Sequence, residues 1–123
     1  MVVEDDHDIR DSLEIALTDA GYDVVDASNG RVALDRLAMS LPGVILLDLM
    51  MPVLNGLEFL VEFRKNPLWK KIPIIVASAN RGYDAADLGT FAVLRKPLDL
   101  DTLLDSVSEA LRQPGGGPAL QGP

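Results

Sequence analysis

The sequence predicts one α/β domain built on a parallel sheet with helices over both faces, and three observations carry that reading. Short aliphatic runs alternate with longer segments whose apolar residues recur every three or four positions, so strands and amphipathic helices follow one another in turn. The run Val44-Ile45-Leu46-Leu47 shows no polar alternation, as expected of a strand buried on both sides. A chain of 123 residues, 48% of them hydrophobic, can bury one sizeable core and leaves little room for a second.

The elements follow in order. Residues 1–3 supply a short first strand that begins abruptly, as though clipped. A helix is expected over about residues 8–20, with Asp8 as N-cap, Ile9, Leu13, Ala16 and Leu17 on one face, and Gly21 as its stop. Residues 22–27 form the second strand. Ser28 or Asn29 then caps a helix in which Ala33, Leu34, Leu37, Ala38 and Leu41 recur at helical spacing until Pro42-Gly43 ends it. Residues 44–48 are the third strand. Residues 56–65 form a helix burying Leu57, Leu60 and Phe63, which Asn66-Pro67 closes. Residues 72–77 are a fourth strand and 92–95 a short fifth. The segment 80–89 between them holds only a brief helix. A last helix over about 100–112, capped by Asp99, sets Leu100, Leu103, Leu104, Val107 and Leu111 in one stripe. The domain is therefore placed at 1–112. Residues 113–123, with three consecutive glycines and three prolines, read as a flexible tail or the start of a linker.

Composition narrows the chemistry. The chain has no cysteine, which excludes disulfides, thiolate metal sites and a cysteine nucleophile. No apolar run reaches the length of a membrane span, and Glu4-Asp5-Asp6 interrupts the amino terminus too early for a signal peptide. A soluble, cytoplasmic protein is expected. Nineteen acidic against eleven basic residues give a net charge of -8, which disfavours direct nucleic-acid binding by this domain and suits a cation site.

Asp48 closes the buried run 44–48 and is followed by Leu49-Met50-Met51-Pro52-Val53-Leu54-Asn55-Gly56, a turn-rich connection. In open α/β sheets ligands bind beyond the carboxyl ends of the strands. If the first and third strands are neighbours, Glu4, Asp5 and Asp6 arrive at that edge with Asp48. Two like charges about 4 Å apart repel by roughly 4 kcal/mol at an effective dielectric of 20, so the cluster calls for a cation or a raised pKa. Magnesium fits, since it takes carboxylates, a carbonyl and waters, and often shares phosphate oxygens. Ser78 ends the fourth strand with a hydroxyl, and Lys96-Pro97 ends the fifth with an ammonium. Carboxylate nucleophile, metal, hydroxyl and fixed positive charge are what phosphoryl transfer to an aspartate requires. Taken singly, each also fits a structural role: Asp48 in an Asx turn, Glu4-Asp5-Asp6 as a solvated run or helix cap, Ser78 capping a turn, Lys96 on the surface.

These fragments together, Val-Val-Glu-Asp-Asp at 2–6, Asp48-Leu-Met-Met-Pro with Gly56, Ala77-Ser78-Ala79 and Lys96-Pro97, resemble the receiver domains of bacterial response regulators. The resemblance covers residues 1 to about 112. It implies a flavodoxin-like five-stranded sheet in the order 2-1-3-4-5. It also implies Asp48 as phosphoacceptor, Asp5 as a direct magnesium ligand, Glu4 acting through water, and the Met50 carbonyl completing the metal site. Asp6 falls outside that acidic pair. Ser78 and Lys96 would hold phosphoryl oxygens, and the Lys96-Pro97 bond would be cis.

Two departures from the family pattern bear on output rather than on chemistry. The position three before the lysine, commonly an aromatic whose rotation reports phosphorylation, is Val93, an atypical switch residue. The stretch from Ser78 to Lys96 is about one helical turn short, so the fourth helix should be shortened or irregular. The function expected is a phosphoacceptor that takes its phosphoryl group from a sensor histidine kinase or histidine phosphotransfer protein, with Mg2+, and switches a surface toward an unnamed downstream protein. The alternative is an atypical receiver acting as an interaction module without phosphorylation. An aspartate-nucleophile phosphatase normally has a second acid two residues after the nucleophile, and Met50 stands there. Turnover beyond self-catalysed phosphoryl transfer and autodephosphorylation is accordingly not expected.

Overall fold

The computed structural model describes residues 1–80 and 82–112. Val2–Val3 (β1), Asp26–Ala27 (β2), Ile45–Asp48 (β3), Ile74–Ser78 (β4) and Ala92–Arg95 (β5) form one parallel sheet in the order β2-β1-β3-β4-β5. The crossovers are His7–Asp19 (α1), Gly30–Leu37 (α2), Gly56–Arg64 (α3) and Ala85–Leu88 (α4), and Leu100–Leu111 (α5) follows β5. The doubly wound order is the one the resemblance implies. Register sets Leu46 between Val2 and Ile75, and Asp48 beside Ala77.

The pleat explains why β3 and β4 lack polar alternation. Val3, Ile45, Leu47, Ile74 and Val76 pack with Leu34, Leu37, Phe59, Leu60 and Phe63 on one side. Val2, Leu46, Ile75 and Ala77 pack with Leu17, Leu103, Val107 and Ala110 on the other. Successive residues of a central strand thus enter different layers, and both layers demand apolar side chains. Helices α2 and α3 cover the first face, and α1 and α5 the second.

Several boundaries differ from expectation for identifiable reasons. Asp6, not Asp8, caps α1: its backbone is extended and its Oδ1 accepts the N–H groups of Asp8 at 2.9 Å and Ile9 at 3.1 Å. Asp8 falls instead in the first turn, where a carboxylate complements the positive end of the helix. β2 pairs only over two residues because its one partner among the described residues, β1, is itself two residues long. β4 starts at Ile74 rather than 72, since Pro73 has no N–H to pair, although Ile72 is buried all the same. Asn29, rather than Ser28, caps α2 through the N–H of Val32, and Ala38 ends up exposed beyond the helix.

In α3 the buried stripe is Gly56, Phe59, Leu60 and Phe63, and Leu57 is 38% exposed. The phase is set by tertiary contact: a Cβ on Gly56 would lie 2.6 Å from Leu49 Cα, so only glycine lets α3 start against the backbone beyond β3. α4 is the brief helix expected, one turn capped by Asp84 and stopped by Gly89 at φ +66°. α5 and its Asp99 cap match expectation, except that Leu100 is exposed and Ala110 joins Leu103 and Val107 in the core. The tail expected over 113–123 lies outside the described residues. Among the described residues no helix is long and apolar enough to cross a membrane.

Candidate functional site

The carboxyl edge of the sheet gathers the residues that the sequence singled out. Glu4 and Asp5 follow β1, Asp48 ends β3, Ser78 ends β4 and Lys96 follows β5. Because all five strands run the same way, every one of these side chains leaves the sheet at the same edge. Glu4 and Asp48 are buried at 3% and 4% exposure, Asp5 is exposed, and Lys96 is half-buried.

Carboxylate oxygens of Glu4, Asp5 and Asp48 lie within 4.8 Å of one another. Lys96 Nζ stands 3.1 Å from Asp48 Oδ1 and 3.5 Å from Glu4 Oε1. Three carboxylates against one ammonium leave excess negative charge in a partly dry pocket. The protein's response is visible at Glu4. Burial, followed by the hydrogen bond to and the charge of Asp48, raises its pKa to about 7, against the smaller opposing pulls of the Asp6 N–H and Lys96. Burial alone would lower Lys96, but its hydrogen bond to Asp48 and the charges of Asp48 and Glu4 together raise it. The donor set, all hard oxygen with one ligand facing solvent, fits a magnesium-sized cation better than a soft metal.

The backbone around Asp48 is fixed from several sides. The N–H of Met50 donates to Asp48 Oδ1 at 3.1 Å, and Gly56 N–H returns to Leu49 O at 3.0 Å. Gly30 N–H donates to Leu54 O at 3.1 Å, an approach that any Cβ would block at 2.5 Å. Within this loop Val53 sits at φ +69°, a conformation that β-branched residues avoid. Sequence reading identified Gly56 but not Gly30 or Val53.

Ser78 is buried at the edge, yet its hydroxyl closes a turn: Oγ accepts the N–H of Asn80 at 3.0 Å and lies 3.4 Å from Asn80 O. Asp6 stays out of the cluster, as expected, because it caps α1. The Lys96-Pro97 bond is cis. Val93 is half-buried on β5 and packs against the core with no ring to rotate.

One contributor escaped the sequence reading. Arg10 Nη1 donates to the carbonyl oxygens of Glu4 at 2.9 Å and Asp5 at 3.4 Å, and its Nε lies 3.5 Å from Asp26 Oδ2. It ties the acidic loop to α1 and to β2. No motif marks it; the only sequence signal is a cation one turn and a half beyond an acidic run.

Comparison with known proteins identifies the family and agrees with the fold. The family described as the response regulator receiver domain matches residues 1–108. The chain is 37% identical over 117 residues to the response regulator MprA of Mycolicibacterium vanbaalenii, covering 92% of this chain and 50% of that protein. It is 36% identical over 115 residues to the DNA-binding transcriptional regulator NtrC of Klebsiella pneumoniae, covering 89% of this chain and 24% of that protein. The chain thus spans between a quarter and a half of these relatives. Among solved structures, a response regulator of Chloroflexus aurantiacus superposes with a TM-score of 0.84 at 29% identity, over 91% of this chain and 95% of that one. The chemotaxis protein CheY4 of Vibrio cholerae gives 0.81 at 31% identity, over 89% and 94%.

Proposed function

The chain belongs to the response regulator receiver family of two-component systems, and from that premise we propose that Asp48 accepts a phosphoryl group from a phosphohistidine, in the presence of Mg2+. The observation that carries this reading is the position of Asp48: a buried carboxylate 3.1 Å from Lys96 Nζ and within 4.8 Å of Glu4 and Asp5.

Each residue then has a task. Met50 N–H and Lys96 hold Asp48 Oδ1, which leaves Oδ2 to attack phosphorus as the imidazole nitrogen departs. Asp5, Asp48, the Met50 carbonyl and, through water, Glu4 would hold the magnesium. When bound, the ion offsets the negative charge that collects on the phosphoryl oxygens. Lys96 and Ser78 hold those oxygens in the product. Turning the Ser78 hydroxyl proton to the phosphoryl group withdraws it from Asn80 O, 3.4 Å away in the turn, and the segment leading to α4 then relaxes toward a partner-binding state. The phosphoryl donor is a sensor histidine kinase or histidine phosphotransfer protein in the cytoplasm, and the recipient is a downstream protein surface. Chemistry by the domain itself is limited to this transfer and its hydrolysis, because Met50 stands where a phosphatase would keep a second acid.

A second reading, an interaction module that works without phosphorylation, draws on Val93 and the single-turn α4. Mass spectrometry after incubation with Mg2+ and a small acyl-phosphate donor separates the two. A phosphate-sized mass gain in the wild type and none in Asp48→Asn supports phosphoacceptance. No gain in either folded protein overturns it.

A further inference from the structure

A second charged feature lies at the opposite edge of the sheet. The end of α3, the turn after it, the start of β4 and the approach to β5 border a half-open cleft of about 700 Å³. It opens beside Ile74, the first residue of β4, whereas the phosphoacceptor edge is at Ser78, roughly 13 Å away at about 3.3 Å per strand residue. The two sites share no lining residue.

The lining is unusual for this chain. Arg64, Lys65, Lys70 and Lys71 all line the cleft, and no carboxylate does, although the protein has only 11 basic residues and a net charge of -8. Among the described residues Lys65 pairs with Glu62, but neither Lys70 nor Lys71 takes part in an ion pair. Arg64 reaches across and donates to the carbonyl oxygen of Leu88 at the end of α4, so its guanidinium is anchored while further N–H donors stay available. In the wall, Thr90 Oγ1 is buried without a hydrogen-bond partner among the described residues, so its hydroxyl is left for a ligand. The floor is apolar, with Phe63, Ile72 and Phe91. A volume of this size is within the range that holds small molecules, roughly 300–1,000 Å³.

Several cations around an apolar floor select a ligand with concentrated negative charge. We propose that this cleft binds a small polyphosphate, either a nucleoside triphosphate or a bare polyphosphate chain, independently of Asp48. Lys70 and Lys71 supply unpaired ammonium groups for the phosphates, and Arg64 supplies a fixed donor fork. Phe91, half-buried in the lining, is the aromatic surface against which a base would lie.

The test is a titration of the intact chain, labelled for amide resonances, with ATP, tripolyphosphate and adenosine, each without divalent cation. The expected result is saturable shifts at Lys70, Lys71, Thr90 and Phe91 with ATP, weakened at least about tenfold in the double variant K70E/K71E. Tripolyphosphate binding as tightly as ATP supports the proposal and assigns the bare chain; tighter ATP binding supports it and assigns the nucleotide. Saturable binding of adenosine alone, equal ATP affinity in K70E/K71E, or no saturable shift at these residues overturns it. Both lysines are exposed, so the variant should keep the wild-type circular dichroism and phosphoacceptance at Asp48; a further variant, Thr90→Val, should weaken ATP binding without touching a charge.

Discussion

Arg10 Nη1 donates to the carbonyl oxygen of Glu4 at 2.9 Å, so a residue of α1 sets the path of the loop that delivers both acids to the carboxyl edge. The same guanidinium reaches Asp5 O and Asp26, and its side chain is only 14% exposed. Replacing Arg10 with alanine leaves those carbonyls to water and loosens the loop. The expected cost is about 1–2 kcal/mol in urea unfolding, with weaker Mg2+ binding by calorimetry. Lysine should rescue neither, because a single ammonium lacks the guanidinium's spread of donors. Wild-type Mg2+ affinity in Arg10→Ala would sink this role.

The raised pKa of Glu4 gives stability a definite pH dependence in the absence of divalent cation. Its ordinary value is 4.5 and its folded value is about 7, so between these limits the folded state binds more protons than the unfolded one. The contribution from Glu4 is therefore fully present below about pH 4.5 and is lost as pH rises through 7. The loss should be on the order of 2 kcal/mol, read as a falling melting temperature from pH 5 to 8. Glu4→Gln should flatten the slope over this interval. Saturating Mg2+ should offset the loss at pH 8, where it meets ionised carboxylates, and should do little at pH 5. A profile identical in wild type and Glu4→Gln contradicts this account.

Helix α3 supplies a direct check on core packing. Phe59 is fully buried and Leu57 is 38% exposed, although both are apolar and two positions apart. Phe59→Ala should cost about 3–5 kcal/mol, whereas Leu57→Ala should stay within roughly 0.5 kcal/mol. Chemical denaturation of the two variants side by side is sufficient. Comparable losses would mean that α3 packs in the other phase.

That helix also marks the limit of what the sequence makes legible. Leu57, Phe59, Leu60, Val61 and Phe63 place apolar groups on most faces of α3, so periodicity alone admits more than one buried stripe. The choice is made by Gly56 meeting Leu49, a contact between elements. β3, the body of β4 and α5 were legible because aliphatic runs and a helical stripe fix the element, although Pro73 delays β4 and the α5 stripe takes Ala110 in place of Leu100. The same distinction holds at the site. Asp48, Glu4, Ser78 and Lys96 could be placed because each stands at a strand end. Arg10 could not, since its partners are backbone carbonyls, which leave no trace in residue identity.

Val53 stores strain in the loop beyond Asp48. Its φ of +69° lies in the left-handed region, and its side chain is 78% exposed, so no packing compensates in return. Left-handed backbone costs an ordinary residue roughly 1–2 kcal/mol, and asparagine tolerates it better. Val53→Asn should accordingly stabilise the fold by about 1 kcal/mol in thermal or urea unfolding. A destabilised variant would show that the valine makes a contact that outweighs its backbone strain.

Under the proposed function, Ser78 is where phosphoryl chemistry and output would meet. Its Oγ accepts the Asn80 N–H at 3.0 Å, two residues into the connection that leads to the single turn of α4. With Val93 in place of an aromatic ring, the proposed route from phosphate to surface runs through this turn. The reason is that the hydroxyl has one proton, which cannot go to Asn80 O and to a phosphoryl oxygen at once. Ser78→Ala leaves the exposed Asn80 N–H to water, so the fold should lose no more than about 1 kcal/mol. Phosphorylation by a small acyl-phosphate donor should be slower but still detectable by mass, since Lys96 continues to hold Asp48. The discriminating measurement is the amide spectrum before and after phosphorylation. The wild type should shift at Asn80 and at Ala85, Asp87 and Leu88, whereas phosphorylated Ser78→Ala should leave the α4 resonances near their starting positions. Equal displacement of α4 in both proteins would place the route elsewhere in the edge formed by β5 and α5.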